Sequence, residues 1–310
     1  MGPLARRVAF APVVLVVVTA LTYATPRILR PDLYPPGEGL VEGVRRDLDS
    51  VLLHFDFGCA ADWPGCPDIV PMWRQGAAWD LWLMAGGLII GLAGGVLAGV
   101  WCARRPRTLA SRTLEGTALV LYCLPVYVVG MFLLKLFNPT FGAFPLPGFF
   151  DADPRWVQPW TAPWDWLRQL LVPWLVLAAP LAAMVLRLTL ANTIEALNED
   201  YVRTAVGKGV KTSRVVRRHA APVSFVPTAS FVGISIPLLV TNVILIESVF
   251  SVPGFFENTW KALGHVDPPE RPDFPMLQAI TVWSTAFIVA LGILTDAVLP
   301  WLDPRLRRSD

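Results

Sequence analysis

The histidines and cysteines of the chain are the residues most suited to metal binding or nucleophilic catalysis, and they are few and scattered. The histidines are His54, His219 and His265, and their spacing from one another and from the four cysteines gives no zinc-binding pattern. No Ser-His-Asp set can be identified. We therefore predict no catalytic residue and no metal site, and we expect that the chain is not an enzyme.

The stretch that comes nearest to a phosphate-binding loop is Gly207–Thr212. A P-loop ends in Gly-Lys-Ser/Thr, so that the lysine reaches the phosphates and the hydroxyl reaches Mg²⁺. This stretch lacks that ending. We therefore expect no nucleotide cofactor bound by this chain.

The composition points away from a soluble protein. Of 310 residues, 54% are hydrophobic and only 16% are charged, and the formal net charge is +2. A soluble domain carries about 25% charged residues, and a nucleic-acid-binding domain carries a clear excess of positive charge. These values exclude a disordered chain, a basic nucleic-acid module and an ordinary cytosolic enzyme.

Six stretches without charged residues approach or exceed the roughly 20 residues that a membrane-spanning helix needs. They are 8–26, 81–103, 116–134, 169–186, 219–246 and 274–295. They are much longer than the strands of an outer-membrane barrel. We predict an all-α polytopic membrane protein, one membrane domain over 1–310, with six helices near 8–28, 80–103, 115–137, 168–191, 223–249 and 276–300.

The first stretch could instead belong to a cleaved signal peptide. The apolar run Val8–Ala24 is longer than a typical signal-peptide core, and no small-x-small cleavage site follows it. We therefore interpret it as a retained helix. Most lysines and arginines fall in segments that are cytoplasmic if the N-terminus is inside, so we expect both termini in the cytoplasm.

Two connecting segments are long. The outer loop 29–79 is rich in proline and contains Cys59 and Cys66. A disulfide between them is permitted outside the cytoplasm, the alternative being two free thiols. The inner segment 192–222 is the longest on the cytoplasmic side.

The inner segment has the pattern of a helix, a break and a second helix. Leu197, Tyr201 and Ala205 form an apolar stripe at four-residue spacing, and Gly209 is a natural helix terminator. A short exposed helix with such a stripe suits a groove in another protein. The alternative is an amphipathic helix lying on anionic lipid.

This inner segment resembles the EAA loop of bacterial ABC importer permeases. Arg203, Thr204 and Ala205 occupy the Glu-Ala-Ala positions, with Gly209 and Pro222 at the family's glycine and proline. Arg203, Thr204 and also Ala221 depart from the general pattern. The run from Asp200 to Gly209 is similar to the version in the dipeptide/oligopeptide/nickel permease subfamily.

Five further motifs extend the resemblance along nearly the whole chain. They are Asp56-Phe57-Gly58, Leu124-Pro125 with Gly130, Leu171-Val172-Pro173, the segment Glu247–Gly254 and Leu302–Arg305. The chain therefore resembles a B-type permease subunit of that subfamily. This resemblance implies a location in the bacterial inner membrane. The stretch Arg30–Leu33 stands where the family often has Pro-Gly-Asp-Pro, which is a departure.

The resemblance implies a transport role powered by other proteins. The expected partners are a second permease in a heterodimer, two ATPase subunits that bind ATP and Mg²⁺, and an external solute-binding protein, with membrane lipid around them and no nucleic acid. The transported solute would be a peptide or a related small solute such as a nickel chelate. The residues expected to couple the permease to an ATPase are Asp200, Tyr201, Arg203, Thr204, Ala205, Lys208 and Gly209.

Other residues are candidates for the pathway and for helix packing. The gate or pathway candidates are Pro125, Glu247, Phe250, Pro253 and Gly254. For Glu247, support of the Pro-Gly gate and contact with cargo are equally open, whereas for Arg187 and Asp296 we favour structural or interfacial roles. The packing candidates are Gly87, Gly91, Gly95 and Gly99, which lie on one helix stripe where another backbone can approach closely.

Two other classes of function remain as alternatives. A self-sufficient secondary transporter or channel would carry charged relay residues deep in its spans, and these are scarce here. A membrane-embedded enzyme would need a polar catalytic set at one membrane face, and none is visible.

Overall fold

The computed structural model describes residues 3–34, 39–60, 65–106, 108–140, 143–144, 146, 149, 156–207, 221–264 and 272–302. Within these residues the secondary structure is helical, with one isolated bridge between Cys59 and Asp68. The helices are α1 (Pro3–Leu29), α2 (Leu40–His54), α3 (Ile69–Arg104), α4 (Leu109–Cys123), α5 (Val126–Phe137), α6 (Pro163–Leu197), α7 (Asp200–Gly207), α8 (Ala221–Phe250), α9 (Asn258–Ala262) and α10 (Phe274–Leu302).

Four helices of the described chain are long and apolar enough to cross a membrane. They cover Arg6–Leu29, Ile69–Arg104, Pro163–Leu197 and Phe274–Ala297. The pair α4 and α5 passes the same test only as one span, bent by 103°. The expectation of an all-α polytopic membrane protein is confirmed at this level. The backbone of α8 is helical from Ala221 to Phe250. Among its described residues, the apolar stretch is Ser235–Phe250.

Two elements differ from the sequence expectation. The predicted span 115–137 is two helices, because Leu124 and Pro125 are both extended, with ψ of 133° and 131°. A residue before proline avoids the helical region, and proline donates no backbone hydrogen bond. The predicted outer loop 29–79 contains the 15-residue helix α2 and also the start of α3, which begins at Ile69 and not near residue 80. Pro173 and Pro180, by contrast, lie inside the continuous helix α6.

The chain divides into two compact units. The terminal unit comprises Met1–Asp80 with Pro253–Val298, and the central unit comprises Leu81–Val252. In the terminal unit α1 packs on α2, and a small core joins Tyr23, Val51 and Val282. In the central unit α6 is the middle element and packs against α4, α5 and α8.

Candidate functional site

Helix α7 occupies the start of the predicted coupling segment. It begins at Asp200, and the Thr204 hydroxyl donates to the Asp200 carbonyl over 2.9 Å. Val202 is buried, whereas Asp200, Thr204 and Gly207 are exposed. A Cβ on Gly207 would meet no atom within 4 Å. One side of this short helix is therefore held against the protein while the other is open.

The rest of the predicted coupling set is only partly visible. Tyr201, Arg203 and Ala205 belong to α7 by their backbone. Lys208 and Gly209 lie outside the described residues, as does the predicted second helix of this segment. The prediction of a helix at the start of the loop agrees with the structure, and its use in coupling stays a prediction.

The first two gate candidates of the Pro-Gly motif end α8. Glu247 is buried, and its carbonyl accepts a 3.0 Å bond from the Val252 amide. Ser251 between them has a left-handed backbone, with φ of 52°. This six-to-one bond around a left-handed residue is the Schellman pattern of helix ends. The motif Glu247–Gly254 therefore ends α8 sharply, and the side chain of Glu247 is buried.

Phe250 packs on the short helix α5. A Cβ on Gly130 would lie 3.1 Å from Phe250 Cε2 and 3.1 Å from Val249 Cγ1. The glycine at this position thus permits close approach of α5 and α8. Pro125 stands immediately before α5, and its carbonyl accepts from the amides of Val128 and Val129 at 3.0 and 3.2 Å.

The remaining gate candidates, Pro253 and Gly254, belong to the terminal unit and stand beside a buried acid. The Phe255 amide, next to Gly254, donates to Asp80 Oδ1 over 2.8 Å. The indole N–H of Trp283 donates to Asp80 Oδ2 over 3.2 Å. Asp80 is fully buried. Hydrogen bonds to a carboxylate are charge-assisted and stronger than bonds between neutral groups. Asp80 therefore stabilises the loop at Phe255.

Asp80 is not among the sequence candidates because it marks only the edge of a charge-free stretch. Gly76, one turn earlier in α3, lies against the backbone of Gly254 and Phe255 so closely that a Cβ would collide with it. The sequence signal available is this glycine at four-residue spacing before an isolated acid. From the sequence alone, this spacing does not predict that Gly76 and Asp80 contact the loop at Gly254 and Phe255.

Two buried phenylalanines and two polar caps fix the segment that follows. Phe255 and Phe256 are almost wholly buried. The Asn258 amide side chain donates to the Phe255 carbonyl over 3.1 Å. Asp273 then caps α10, accepting from the Met276 amide over 3.0 Å. The stretch between the gate motif and α10 is therefore anchored at both ends.

The predicted glycine stripe of α3 faces α6. A Cβ on Gly87 or Gly91 would lie 2.6 or 2.9 Å from a methyl group of Leu177 or Leu181, and the next two glycines are as tightly packed, against Val185 and Thr189. Gly94, on another side of α3, has no atom within 4 Å. The four glycines at this spacing thus allow the two helices to approach within the central unit.

The predicted cysteine pair and the charged candidates also have clear positions. Cys59 and Cys66 form a disulfide, with their Cα atoms 5.3 Å apart. Cys102 is a buried free thiol, and Cys123 is an exposed one. Asp296 pairs with Arg7 over 2.8 Å, and Arg187 is exposed. The pairing of Asp296 agrees with a structural role.

A second charged contact links α1 to α2 outside the sequence candidates. Arg27 donates from Nε and Nη2 to Asp47 Oδ2 over 3.1 and 2.7 Å. The guanidinium lies 4.3 Å from the ring centre of Tyr34. Burial raises the pKa of the Tyr34 phenol, against the lowering effect of Arg27. Nothing in the local sequence indicates this pair, because it depends on how α2 folds back.

Long apolar helices, a broken span and polar side chains turned inward together define a multi-pass α-helical membrane protein. Comparison with known proteins identifies the class further. A family model described as binding-protein-dependent transport system inner membrane component matches residues 95–308. The chain belongs to this family of ABC transporter permeases, which are membrane components of a bacterial inner membrane and not themselves enzymes.

Several relatives carry names from peptide and glutathione transport. The chain is 30% identical to a probable peptide ABC transporter permease, y4tP, of Sinorhizobium fredii, over 71% of this chain and 66% of that protein. It is 32% identical to a putative peptide permease of Brucella ovis, over 73% and 68%. It is also 32% identical to the glutathione transport system permease GsiC of Escherichia coli K12, over 73% and 67%. The matched region covers about two thirds of each relative, and the predicted family is confirmed.

Proposed function

We propose that the chain is the permease subunit of an ATP-driven importer. It contributes half of a translocation path for peptides or a related small solute, such as a nickel chelate. In this proposal α8 is a further span beside the four long helices and the bent pair, which gives six. Both termini are cytoplasmic, so that α7 lies on the same side as the ATPases.

Helix α7 is the observation that carries the proposal. It lies between α6 and α8, within the family-matched region, and it presents Asp200, Thr204 and Gly207 to the outside of the chain. Burial of Val202 gives it a support inside the protein. A helix supported on one side and open on the other can transmit a push from a partner to the attached spans.

Partner proteins are needed because the sequence has no Gly-Lys-Ser/Thr phosphate-binding loop with which to use ATP. Energy comes from two ATPase subunits that bind ATP and Mg²⁺, and α7 docks in a groove of one of them. A second permease completes the path as a heterodimer, and an external solute-binding protein delivers the solute. The names of the relatives support a peptide-like solute over an inorganic ion.

The test is a glycine substitution that changes the docking surface without disturbing the fold. In the complex of this chain with its ATPases, Gly207→Arg places a long charged side chain where a Cβ meets only open space. The affinity for the ATPase is expected to fall by roughly 30-fold, the equivalent of losing one strong interface contact. Co-purification and ATP-driven uptake measure the change.

The matched control is Gly39→Arg, the same substitution at an exposed glycine that also has open space around it. Gly39 lies before α2 and far along the chain from α7. The control is expected to retain its ATPase. If Gly207→Arg and Tyr201→Asp both retain the ATPase and full ATP-driven uptake, α7 is not the coupling element.

A further inference from the structure

A cleft within the central unit lies between α4, α6 and α8. Its walls are mostly apolar and include Leu177, Leu181, Met184, Phe231, Leu238 and Leu239. Pro180 of α6 also lines it. Three polar side chains line this apolar surface, Tyr122 from α4 and Ser235 and Asn242 from α8. Pockets that bind small molecules have this composition, with few polar groups in an apolar wall.

Tyr122 and Asn242 differ from Ser235, and from Thr241 on the same helix, in their hydrogen bonds. Ser235 and Thr241 of α8 donate to carbonyls of their own helix, Phe231 and Pro237, over 3.0 and 3.1 Å. Within the described part of the chain, the Asn242 amide and the Tyr122 hydroxyl make no hydrogen bond to another residue. A polar group in a spanning helix is costly unless something satisfies it. A molecule that enters the cleft can therefore form hydrogen bonds with the Asn242 amide and the Tyr122 hydroxyl.

The position of the cleft fits a path through the membrane. Asn242 precedes the end of α8 at Phe250 by eight residues, which is about 12 Å along a helix axis. Tyr122 comes just before the break at Leu124 and Pro125. The cleft therefore lies beside the middle of α8 and close to the bend of the α4–α5 pair.

We infer that this cleft binds a neutral stretch of a transported peptide, an inference that rests on the proposed function. An asparagine amide offers both a donor and an acceptor, as does a tyrosine hydroxyl, and these match the C=O and N–H of a peptide bond. The apolar walls take an uncharged side chain. Among the described residues that line the cleft none is charged, so a charged stretch would lose its hydration without compensation.

The experiment uses the full transporter in proteoliposomes, with the second permease, the ATPases and the binding protein. The probe is a tripeptide of leucine, benzoylphenylalanine and leucine, which crosslinks to nearby C–H bonds under light. The adduct is expected on Met184 or Leu238 and is read by mass spectrometry of the digested chain. Unlabelled trileucine is expected to suppress it, whereas triaspartate is not.

Two substitutions then test the polar groups. Asn242→Leu removes the amide at nearly constant size, and Tyr122→Phe removes only the hydroxyl. Each is expected to lower crosslinking about two- to tenfold, as for the loss of one hydrogen bond. Thr241→Val is the control on the same helix, because its hydroxyl already bonds to Pro237, and it is expected to change nothing.

Uptake in the same vesicles distinguishes a failure of the cleft assignment from a failure of the importer proposal. If wild-type vesicles import trileucine with ATP but the adduct lies elsewhere, or both substitutions leave it unchanged, the cleft assignment is wrong and the importer proposal stands. If no tripeptide is imported with ATP and no adduct forms, the peptide proposal and the cleft assignment both fail. Retained ATP hydrolysis in Asn242→Leu shows that the variant is assembled.

Discussion

Asp80 and Phe255 are 175 positions apart in the chain and are joined by a 2.8 Å hydrogen bond between the Phe255 amide and Asp80 Oδ1. The second oxygen of the same buried carboxylate accepts from Trp283 over 3.2 Å. One side chain thus connects α3, the loop that follows the Pro-Gly motif and α10 within the terminal unit. Asp80 is the positioning residue for this loop.

Asp80→Ala is expected to destabilise the terminal unit by roughly 2–5 kcal/mol. The substitution leaves the buried Phe255 amide and the partly buried Trp283 indole without their acceptor, and each lost partner costs up to about 1–3 kcal/mol. Denaturant unfolding in detergent, followed by tryptophan fluorescence, measures the change. Trp283→Phe removes only one of the two bonds and is expected to cost less.

Asp49→Ala is the matched control for this experiment. Its side chain is 59% exposed, and exposed substitutions usually change stability by less than about 0.5 kcal/mol. The two variants Asp80→Ala and Trp283→Phe should also be non-additive, because they share one contact. Additive effects, or an Asp80→Ala protein as stable as the control, would contradict the role of Asp80.

Much of the fold could be predicted from the sequence because the bilayer imposes a simple rule. A chain that crosses it must bury its backbone bonds in long apolar helices, and gaps between charges reveal them. The helical start of the coupling segment follows in part from local spacing, since Tyr201 and Ala205 lie one turn apart in α7. Leu197, the first residue of the predicted stripe, instead ends α6, and the break at 198–199 separates it from α7. These are features that depend only on neighbours in sequence.

The contacts that could not be predicted join distant parts of the chain. Asp80 and Phe255 need the loop after α8 to return to α3, and Arg27 and Asp47 need α2 to fold against α1. The break at Leu124 is hidden for another reason. Proline at 125 permits a kink within a helix or a complete break, and tertiary packing decides between them.

Gly95 provides a sharp test of the contact between α3 and α6. A Cβ there would lie 2.6 Å from Val185 Cβ and 2.7 Å from the Ala182 carbonyl oxygen, which is backbone and cannot turn aside. Gly95→Val is therefore expected to push the helices apart and to destabilise the protein by about 1–3 kcal/mol. Thermal unfolding in detergent measures this loss.

The neighbouring residue supplies the control. Gly94 lies in the same helix, and a Cβ added there would meet no atom within 4 Å. Gly94→Val should be neutral or slightly stabilising, since valine has a higher helix propensity than glycine. Equal losses at both positions would mean that the stripe is not the contact surface.

The four cysteines are expected to differ in their reaction with an alkylating reagent. Cys59 and Cys66 are joined and should react only after reduction. Cys123 is exposed and should react in the native protein, whereas Cys102 is buried and should react only after unfolding. Mass spectrometry of the intact and digested chain measures all four in one experiment.

Loss of the disulfide is expected to cost about 2.5 kcal/mol, from the entropy of the short loop that it closes. Cys59→Ser with Cys66→Ser tests this value by denaturant unfolding, and Cys123→Ser is the control at an exposed thiol. Alkylation of Cys59 and Cys66 in the unreduced native protein would contradict the bond.

Arg27→Met is expected to destabilise the contact between α1 and α2 by roughly 3–5 kcal/mol, because it leaves the Asp47 carboxylate without its buried partner. The Arg27 side chain is only 6% exposed, whereas Arg30, paired with Asp32, is 42% exposed. Arg30→Met is thus the control and should cost less than about 1 kcal/mol. The double variant Arg27→Met with Asp47→Leu should recover most of the loss, since it replaces both charges. If the double variant is less stable than Arg27→Met alone, the carboxylate of Asp47 has another role in this fold.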